Sequence, residues 1–227
     1  MVCFLILLFV PCLFAEQIKI NNKVINEKNK ELRYQIAIKY PYIEKQAKFN
    51  EYVRSIIDRK INYFKKNVND WHKDLVGLEK DGTGFPGDNN LLEISYSVLN
   101  RDPRSISILF TGFSNYLMAA HPSHDIFTAN YDLAGGKEIM ITDITGNDLK
   151  KVSEYCVKVL MEETRKLGLT SDEEWVRRGA GPDIKNYKSF NITKKDLIIN
   201  FNEYDVSTYS EGPRRVLLPL VLFHRSL

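Results

Sequence analysis

The chain has 227 residues, of which 44% are hydrophobic and 27% are charged, a composition that suits one sizeable globular domain or two small ones. Its 32 basic and 29 acidic side chains leave a formal net charge of only +3. Because these charges are spread along the chain, without a basic cluster beyond doublets such as Lys65-Lys66, they argue against nucleic acid as a partner.

The chain begins with an unbroken apolar run, MVCFLILLFVPCLFA. It predicts a secretory signal peptide over residues 1–15, cleaved near Ala15, and therefore a bacterial protein that is periplasmic or secreted. The run is shorter than the roughly 20 apolar residues that span a bilayer, and we expect no transmembrane span in the mature chain. Two alternatives stay open: an uncleaved anchor, because no Lys or Arg precedes the run, and a lipid on Cys12, although residues 9–11 match the lipid-attachment pattern poorly.

The predicted elements begin after a polar stretch at residues 19–30. Apolar and polar residues alternate in ELRYQIAIKYP, which predicts a half-buried strand ending at Pro41. From Ile43 the apolar residues recur at helical spacing, which predicts a long amphipathic helix over about 43–68. A stretch rich in glycine, at residues 77–90, predicts a loop.

The rest of the chain predicts six more strand segments and two helices. LLEISYSVLN and SISILFTGFSNYL are joined by so short a turn, at 101–104, that we expect them to pair antiparallel. A strand over 126–133 follows, and KEIMITDI predicts a short strand leading into a helix. A long helix over about 147–167 and a short one in SDEEWVRR precede two final strands, DLIINF and RRVLLPL.

This order of elements predicts an α+β fold, because it lacks the regular βαβ alternation of a parallel sheet. We expect an antiparallel sheet with two principal helices packed on one face. Residues 16–227 are predicted to form a single domain, with a strand-helix unit over about 30–85 and a second unit over about 86–227. Cys156 lies within the second long helix and is expected to be a small buried side chain rather than a nucleophile.

Candidate chemistry is concentrated in the segment LMAAHPSHDIFTANYDLAGG. His121 and His124, with Asp125 or Asp132 as a third ligand, have the residue types of a zinc or nickel site. Pro122 between the histidines is incompatible with a regular helix face, and in a loop the spacing does not impose a geometry. The two histidines could therefore bind a metal or stabilise the loop, and we favour the role in the loop.

Aromatic residues provide the other candidates. Tyr204 and Tyr209 lie in FNEYDVSTYSEGP, and Trp175 lies near a loop. Exposed rings could stack on sugars or contact a protein, because a ring offers a large area at little entropy cost. Packing in the core is the alternative role for most of the rings.

Three stretches of the chain resemble an extracytoplasmic domain family of unknown function, the RsiV/PdaC-like domain (DUF 3298 type, preceded by a DUF 4163-like strand-helix unit). The segment AHPSHDIFTANYDLAGGKEIMITDI is similar to the family's central signature, although Met118 and Ala119 stand where it has glycines. FNEYDVSTYSEGPRRVLLP is similar to its ending; the matching residues are Phe201, Tyr204, Val206, Tyr209, Gly212, Val216 and Pro219. YQIAIKYP and the FNEYVRSII helix resemble the unit that precedes it.

The resemblance implies an exported binding domain that is not an enzyme, with peptidoglycan or an envelope-acting protein such as lysozyme as partner. It also implies that His121 is a loop residue of the scaffold, whereas His124 falls outside the family pattern. We therefore predict a ligand-binding group of His121, His124, Asp125, Tyr204 and Tyr209, with no catalytic residue, no metal and no cofactor. The alternatives are a metal-dependent envelope hydrolase and a structural envelope protein.

Overall fold

The computed structural model describes residues 18–79, 89–117, 119–169 and 172–223. The predicted signal peptide and most of the predicted loop at 77–90 lie outside these ranges; residues 77–79 belong to the first helix. Within the ranges, no helix combines the length and apolar character needed to cross a bilayer.

A six-stranded sheet occupies the first part of the chain, with its strands side by side in chain order. They are β1 (Ile20–Asn29), β2 (Tyr34–Ile43), β3 (Asn90–Arg101), β4 (Ser105–Asn115), β5 (Ser123–Asp132) and β6 (Lys137–Glu138). The helix α1 (Ala47–Glu79) connects β2 to β3. Because this crossover helix returns the chain to the same end of the sheet, β2 and β3 pair parallel, whereas the other neighbours pair antiparallel.

Strand β1 lies in the polar stretch for which the sequence predicted no element. It pairs with β2 alone, and its side chains are half-buried or exposed, with Val24 61% exposed. An edge strand buries little surface, so it needs no run of apolar residues and shows no clear alternation. Helix α1 also extends beyond the predicted end at 68, to Glu79.

A second sheet and three helices complete the fold. The strands are β7 (Phe190–Ile192), β8 (Asp196–Phe201) and β9 (Arg214–Pro219), and the helices are α2 (Ile141–Thr145), α3 (Leu149–Leu167) and α4 (Glu173–Gly179). The α+β class is confirmed. The arrangement differs from the predicted one in having two sheets, each covered by its own principal helix: α1 packs with the first core and α3 with the second.

A buried polar network joins the two sheets. The Ser107 hydroxyl donates to Asn130 Oδ1 at 2.6 Å and accepts hydrogen bonds from Asn191 Nδ2 and the Ile192 amide, both at 3.0 Å. Asn130 Nδ2 in turn donates to the carbonyl of Phe190 at 2.7 Å. Because buried polar groups are costly unless paired, this network holds β4 and β5 in one register against β7.

Cys156 is fully buried in the second core, as expected. Burial raises the pKa of its thiol to about 12, so the thiol stays protonated and unreactive at neutral pH.

Candidate functional site

Two segments that are far apart in sequence meet at one edge of the molecule: the loop before β5 with the first residues of that strand, and the loop between β8 and β9. Asn202, just after β8, clamps them together. Its Oδ1 accepts a hydrogen bond from the Ile126 amide at 2.6 Å, and its Nδ2 donates to the Ile126 carbonyl at 3.1 Å. Four of the five predicted site residues lie at this junction.

These four residues, His121, His124, Tyr204 and Tyr209, form what we call the ring platform. The His121 and Tyr209 rings stack with their centroids 3.8 Å apart. Tyr209 also faces Tyr204 at 6.1 Å and His124 at 6.5 Å. Tyr204 is 53% exposed, and both histidines are exposed, so the platform presents ring surface to solvent.

Hydrogen bonds fix the rings of the platform. The Tyr209 hydroxyl donates to the Pro122 carbonyl at 2.9 Å. His121 Nδ1 lies 2.9 Å from the same carbonyl, and because a carbonyl only accepts, Nδ1 is the donor. In the neutral ring Nε2 is then the acceptor for the Tyr204 hydroxyl, 3.3 Å away. Desolvation, followed by the nearby carboxylate of Glu203, raises the pKa of Tyr209, which keeps its hydroxyl a donor.

His124 is held by a residue that the sequence did not single out. Its Nδ1 lies 2.8 Å from Glu203 Oε1, and its backbone amide donates to Glu203 Oε2 at 3.4 Å. The Glu203 side chain is only 7% exposed, whereas that of His124 is 49% exposed. Glu203 is next to Tyr204 in the C-terminal motif. No pattern in the sequence indicated that its side chain contacts His124, which belongs to the first sheet.

Asp125 does not join the two histidines. Its carboxylate pairs with Lys60 of α1, and the Lys60 ammonium lies 4.5 Å from the centre of the Phe127 ring. Asp132, the other proposed third ligand, accepts a hydrogen bond from the Gly135 amide at 2.8 Å. Among the residues that the structure describes, no three His, Cys, Asp or Glu side chains form a group that could hold a metal ion.

Tyr204 has an unusual backbone conformation for a bulky residue, with φ at +68°. Such residues persist where the surroundings hold them in place, and they often mark functional sites. Here the indole Nε1 of Trp175, on α4, donates to the Tyr204 carbonyl at 3.1 Å. The same loop ends at Gly212, whose φ of +69° and ψ of −175° suit glycine alone.

The C-terminal motif has a scaffold role that accounts for its apolar positions. Phe201, Val206 and Val216 are buried in the second core. Arg214, within the same segment, is 7% exposed and donates to Glu163 of α3 at 2.8 Å. The motif therefore anchors the loop to the core at both ends and leaves its two tyrosines outside.

A polar pocket adjoins the ring platform through Tyr204. It encloses about 600 Å³, within the range of small-molecule sites. Its walls come from α4, from the segment before β7, and from β8 with the loop that follows. Sequence reasoning missed this pocket, because its polar residues are scattered over three segments with no shared spacing.

Comparisons with known proteins identify two matching segments. Residues 25–124 match the family model described as deacetylase PdaC, and residues 142–220 match the model described as a protein of unknown function (DUF3298). No curated protein is significantly similar to the chain.

Two crystal structures of DUF3298-family proteins have the same fold. One, from Bacteroides fragilis, superposes with a TM-score of 0.64 at 17% identity and covers 92% of this chain and 93% of that one. The other, from Pseudomonas aeruginosa, has a TM-score of 0.61 at 11% identity and covers 90% of this chain and 92% of that one. At these identities the likeness concerns the fold alone.

Proposed function

Since the chain is a PdaC/DUF3298-like protein of unknown function, we propose that it is a binding domain, without catalytic activity, for a component of the bacterial cell envelope. The observation that carries this proposal is the ring platform, where four aromatic or imidazole rings are stacked, hydrogen-bonded and open to solvent. With the predicted leader removed, the domain acts in the periplasm or outside the cell.

The platform is suited to recognition because its rings are already ordered before a ligand arrives. A tyrosine ring offers a large contact area, and ordering it at binding costs free energy. The stack of His121 on Tyr209 and the hydrogen bonds to Pro122 and Tyr204 order the rings when the protein folds. Less conformational entropy is therefore lost when a ligand binds. Rings held in this way favour slow dissociation of a flat ligand surface.

Peptidoglycan is the partner that the surroundings favour. A sugar presents apolar C–H faces and a rim of hydroxyl and amide groups, and the platform presents ring faces and a rim of polar groups. The adjoining pocket is polar and is large enough for a sugar unit. A glycan strand could lie across the rings and place one substituent in the pocket.

A protein such as lysozyme is the second candidate, and one observation favours it. Exposed tyrosines on loops above a rigid sheet are also typical of surfaces that bind proteins. Tyr204 and Tyr209 lie on such a loop, which β8 and β9 support from either side.

The enzyme alternative is a metal-dependent envelope hydrolase. It is supported by the description of one matching family model as a deacetylase. It requires His121, His124 and a carboxylate to converge. Asp125 is paired with Lys60, and although Glu203 contacts His124, no three such side chains among the described residues form a group that could hold a metal ion. Metal analysis of the purified protein decides this point. Stoichiometric zinc that disappears in His124→Ala would revive the hydrolase, and hydrolysis of peptidoglycan by that zinc-loaded protein would overturn our proposal.

Co-sedimentation with insoluble peptidoglycan and pull-down with immobilised lysozyme test the binding function. The informative variant is Tyr204→Ala, and Tyr63→Ala is the matched control, because Tyr63 is a 66% exposed tyrosine on α1. We expect Tyr204→Ala to weaken binding by about tenfold and Tyr63→Ala to leave it unchanged. Failure of the wild-type protein to bind either partner would instead favour a structural envelope protein.

A further inference from the structure

The polar pocket beside the ring platform has an excess of positive charge. Arg178, Lys185 and Lys188 contribute side chains to its lining, against the single carboxylate of Asp205. Lys185 is neutralised by Asp183, 2.9 Å away. Over the part of the chain that the structure describes, Arg178 and Lys188 have no ion pair within 4 Å and no side-chain hydrogen bond, although the charge of Lys188 also acts on Asp183. Both cations therefore remain available to a ligand, and Arg178 is the less engaged of the two.

The one acid of the lining is already engaged. Asp205 Oδ2 accepts a hydrogen bond from the Asn202 amide at 2.7 Å, and desolvation of the carboxyl group raises its pKa. Its carboxylate therefore stabilises the turn after β8 and forms no ion pair with the three cations of the lining, which outnumber it. An anionic group is the ligand chemistry that the pocket accepts.

A second observation points to a ligand that also donates hydrogen bonds. Asn200 is the most buried residue of the lining, at 3% exposure. Its Nδ2 donates to Asn191 Oδ1 at 3.1 Å, whereas its Oδ1 has no donor within the described residues. A buried acceptor without a partner is unfavourable, and a hydroxyl or amide N–H of a ligand that reached it would satisfy it.

The pocket also has an aromatic wall. Trp175 and Tyr204 both line it, and the indole is fixed by its hydrogen bond to the Tyr204 carbonyl. An aromatic face suits the apolar side of a pyranose ring. A small inorganic anion would use the cations but neither this wall nor Asn200.

We propose that the pocket binds a sugar unit that carries a carboxylate, with Arg178 and Lys188 on the carboxylate and the ring of the sugar against Trp175 and Tyr204. This inference rests on the proposed function and deepens it by naming the class of ligand. A carboxylated sugar can come from the muramic acid of peptidoglycan or from a uronic acid polymer, and the chemistry at the pocket is the same.

Isothermal titration calorimetry of the purified protein with soluble sugars tests the proposal. The probes are N-acetylmuramic acid and glucuronic acid, with uncharged N-acetylglucosamine as the comparison. We expect the carboxylated sugars to bind at least about tenfold more tightly than the neutral one, and the stronger of the two identifies the source. Equal affinity for charged and neutral sugars, or no binding of any, overturns the inference.

Variants assign the binding to the pocket. Arg178→Gln and Lys188→Gln each remove one free cation, and we expect each to weaken binding of the carboxylated sugar by about tenfold. Arg177→Gln is the matched control: this neighbour on α4 is outside the lining and pairs with Glu173 at 2.5 Å. An equal loss in Arg177→Gln, or no loss in the other two, contradicts the assignment.

The same variants separate this inference from the proposed function. If wild-type protein and Arg178→Gln co-sediment equally with peptidoglycan, the envelope-binding function stands and the pocket has no part in it. If wild-type protein does not co-sediment but binds the carboxylated sugar through Arg178, the proposed function fails for peptidoglycan and the pocket assignment stands.

Discussion

The imidazole of His121 lies on the ring of Tyr209, with 3.8 Å between the ring centroids and 28° between the ring planes. Both side chains also reach the carbonyl of Pro122. The contact joins the loop before β5 to the loop before β9, so the ring platform exists only when both sheets are in place.

The Tyr209 stack gives a first prediction. Tyr209→Phe keeps the ring and loses only the hydrogen bond to Pro122, whereas Tyr209→Leu removes the surface on which His121 lies. We expect Tyr209→Leu to weaken co-sedimentation with peptidoglycan by about tenfold and Tyr209→Phe to weaken it by no more than a few-fold. Undiminished binding by Tyr209→Leu would show that the platform is not the contact surface.

The buried network between the sheets gives a prediction about stability. Ser107→Ala removes the hydrogen bonds that Asn130 Oδ1, Asn191 Nδ2 and the backbone amide of Ile192 make to the Ser107 hydroxyl. We expect the free energy of unfolding in urea to fall by at least about 2 kcal/mol, because each orphaned buried group costs about 1–3 kcal/mol. Ser95→Ala is the control, since the Ser95 hydroxyl contacts Thr111 at the surface; an equal effect of the two changes would contradict this account.

Glu27 gives a prediction about pH. Hydrogen bonds from Lys65 and Tyr34, at 2.8 Å and 2.5 Å, lower the pKa of the Glu27 carboxyl below its ordinary value of 4.5. Its contribution is therefore fully present above about pH 4.5 and is lost as the pH falls through the lower folded-state pKa.

Glu27→Gln should accordingly lower stability at pH 7 and lose its effect in acid. Because the pair is about one-third exposed, we expect a difference of no more than about 1 kcal/mol at pH 7. Urea denaturation of both proteins between pH 7 and pH 3 measures it. Glu31→Gln, at an exposed position, should show no such pH dependence; a difference for Glu27→Gln that persists at pH 3 would refute the ionic origin.

Gly179 gives a prediction about the loop that contains Tyr204. A Cβ at this position would lie 1.8 Å from the carbonyl oxygen of Asp205, so Gly179→Ala must displace the loop from α4. We expect a loss of about 1–3 kcal/mol in stability and weaker peptidoglycan binding. Gly112→Ala is the control, because the nearest atoms to a Cβ there lie at 3.5 Å, and its stability and binding should stay near those of the wild type. Wild-type stability and binding in Gly179→Ala would contradict the prediction.

Much of the fold follows from local patterns. The antiparallel pair β3 and β4 and the helix α3 were predicted because alternation and helical periodicity are strong in buried elements. Strands β1 and β7 were not predicted. The first is a polar edge strand, and the second has three residues, too few to show a period.

The residues of the candidate site also fall into those that the sequence identified and those that only the structure identified. Local residue chemistry selected His121, His124, Tyr204 and Tyr209, since imidazoles and exposed rings stand out in loops. It also selected Asp125, which the structure places against Lys60 of α1 instead. It did not find Glu203, Asn200, Arg178 or Lys188, because an ordinary polar residue becomes distinctive only through its neighbours.

The amino-acid sequence by itself determined the α+β class, the order of the main elements and the ring-bearing loops, because these depend on interactions between residues close together in the chain. Tertiary structure alone decided that there are two sheets, that His121 stacks on Tyr209, and that Arg178, Lys188 and the buried Asn200 line one pocket. These features arise from contacts between segments distant in sequence, and the free energy that selects them comes from burial and packing over the whole molecule.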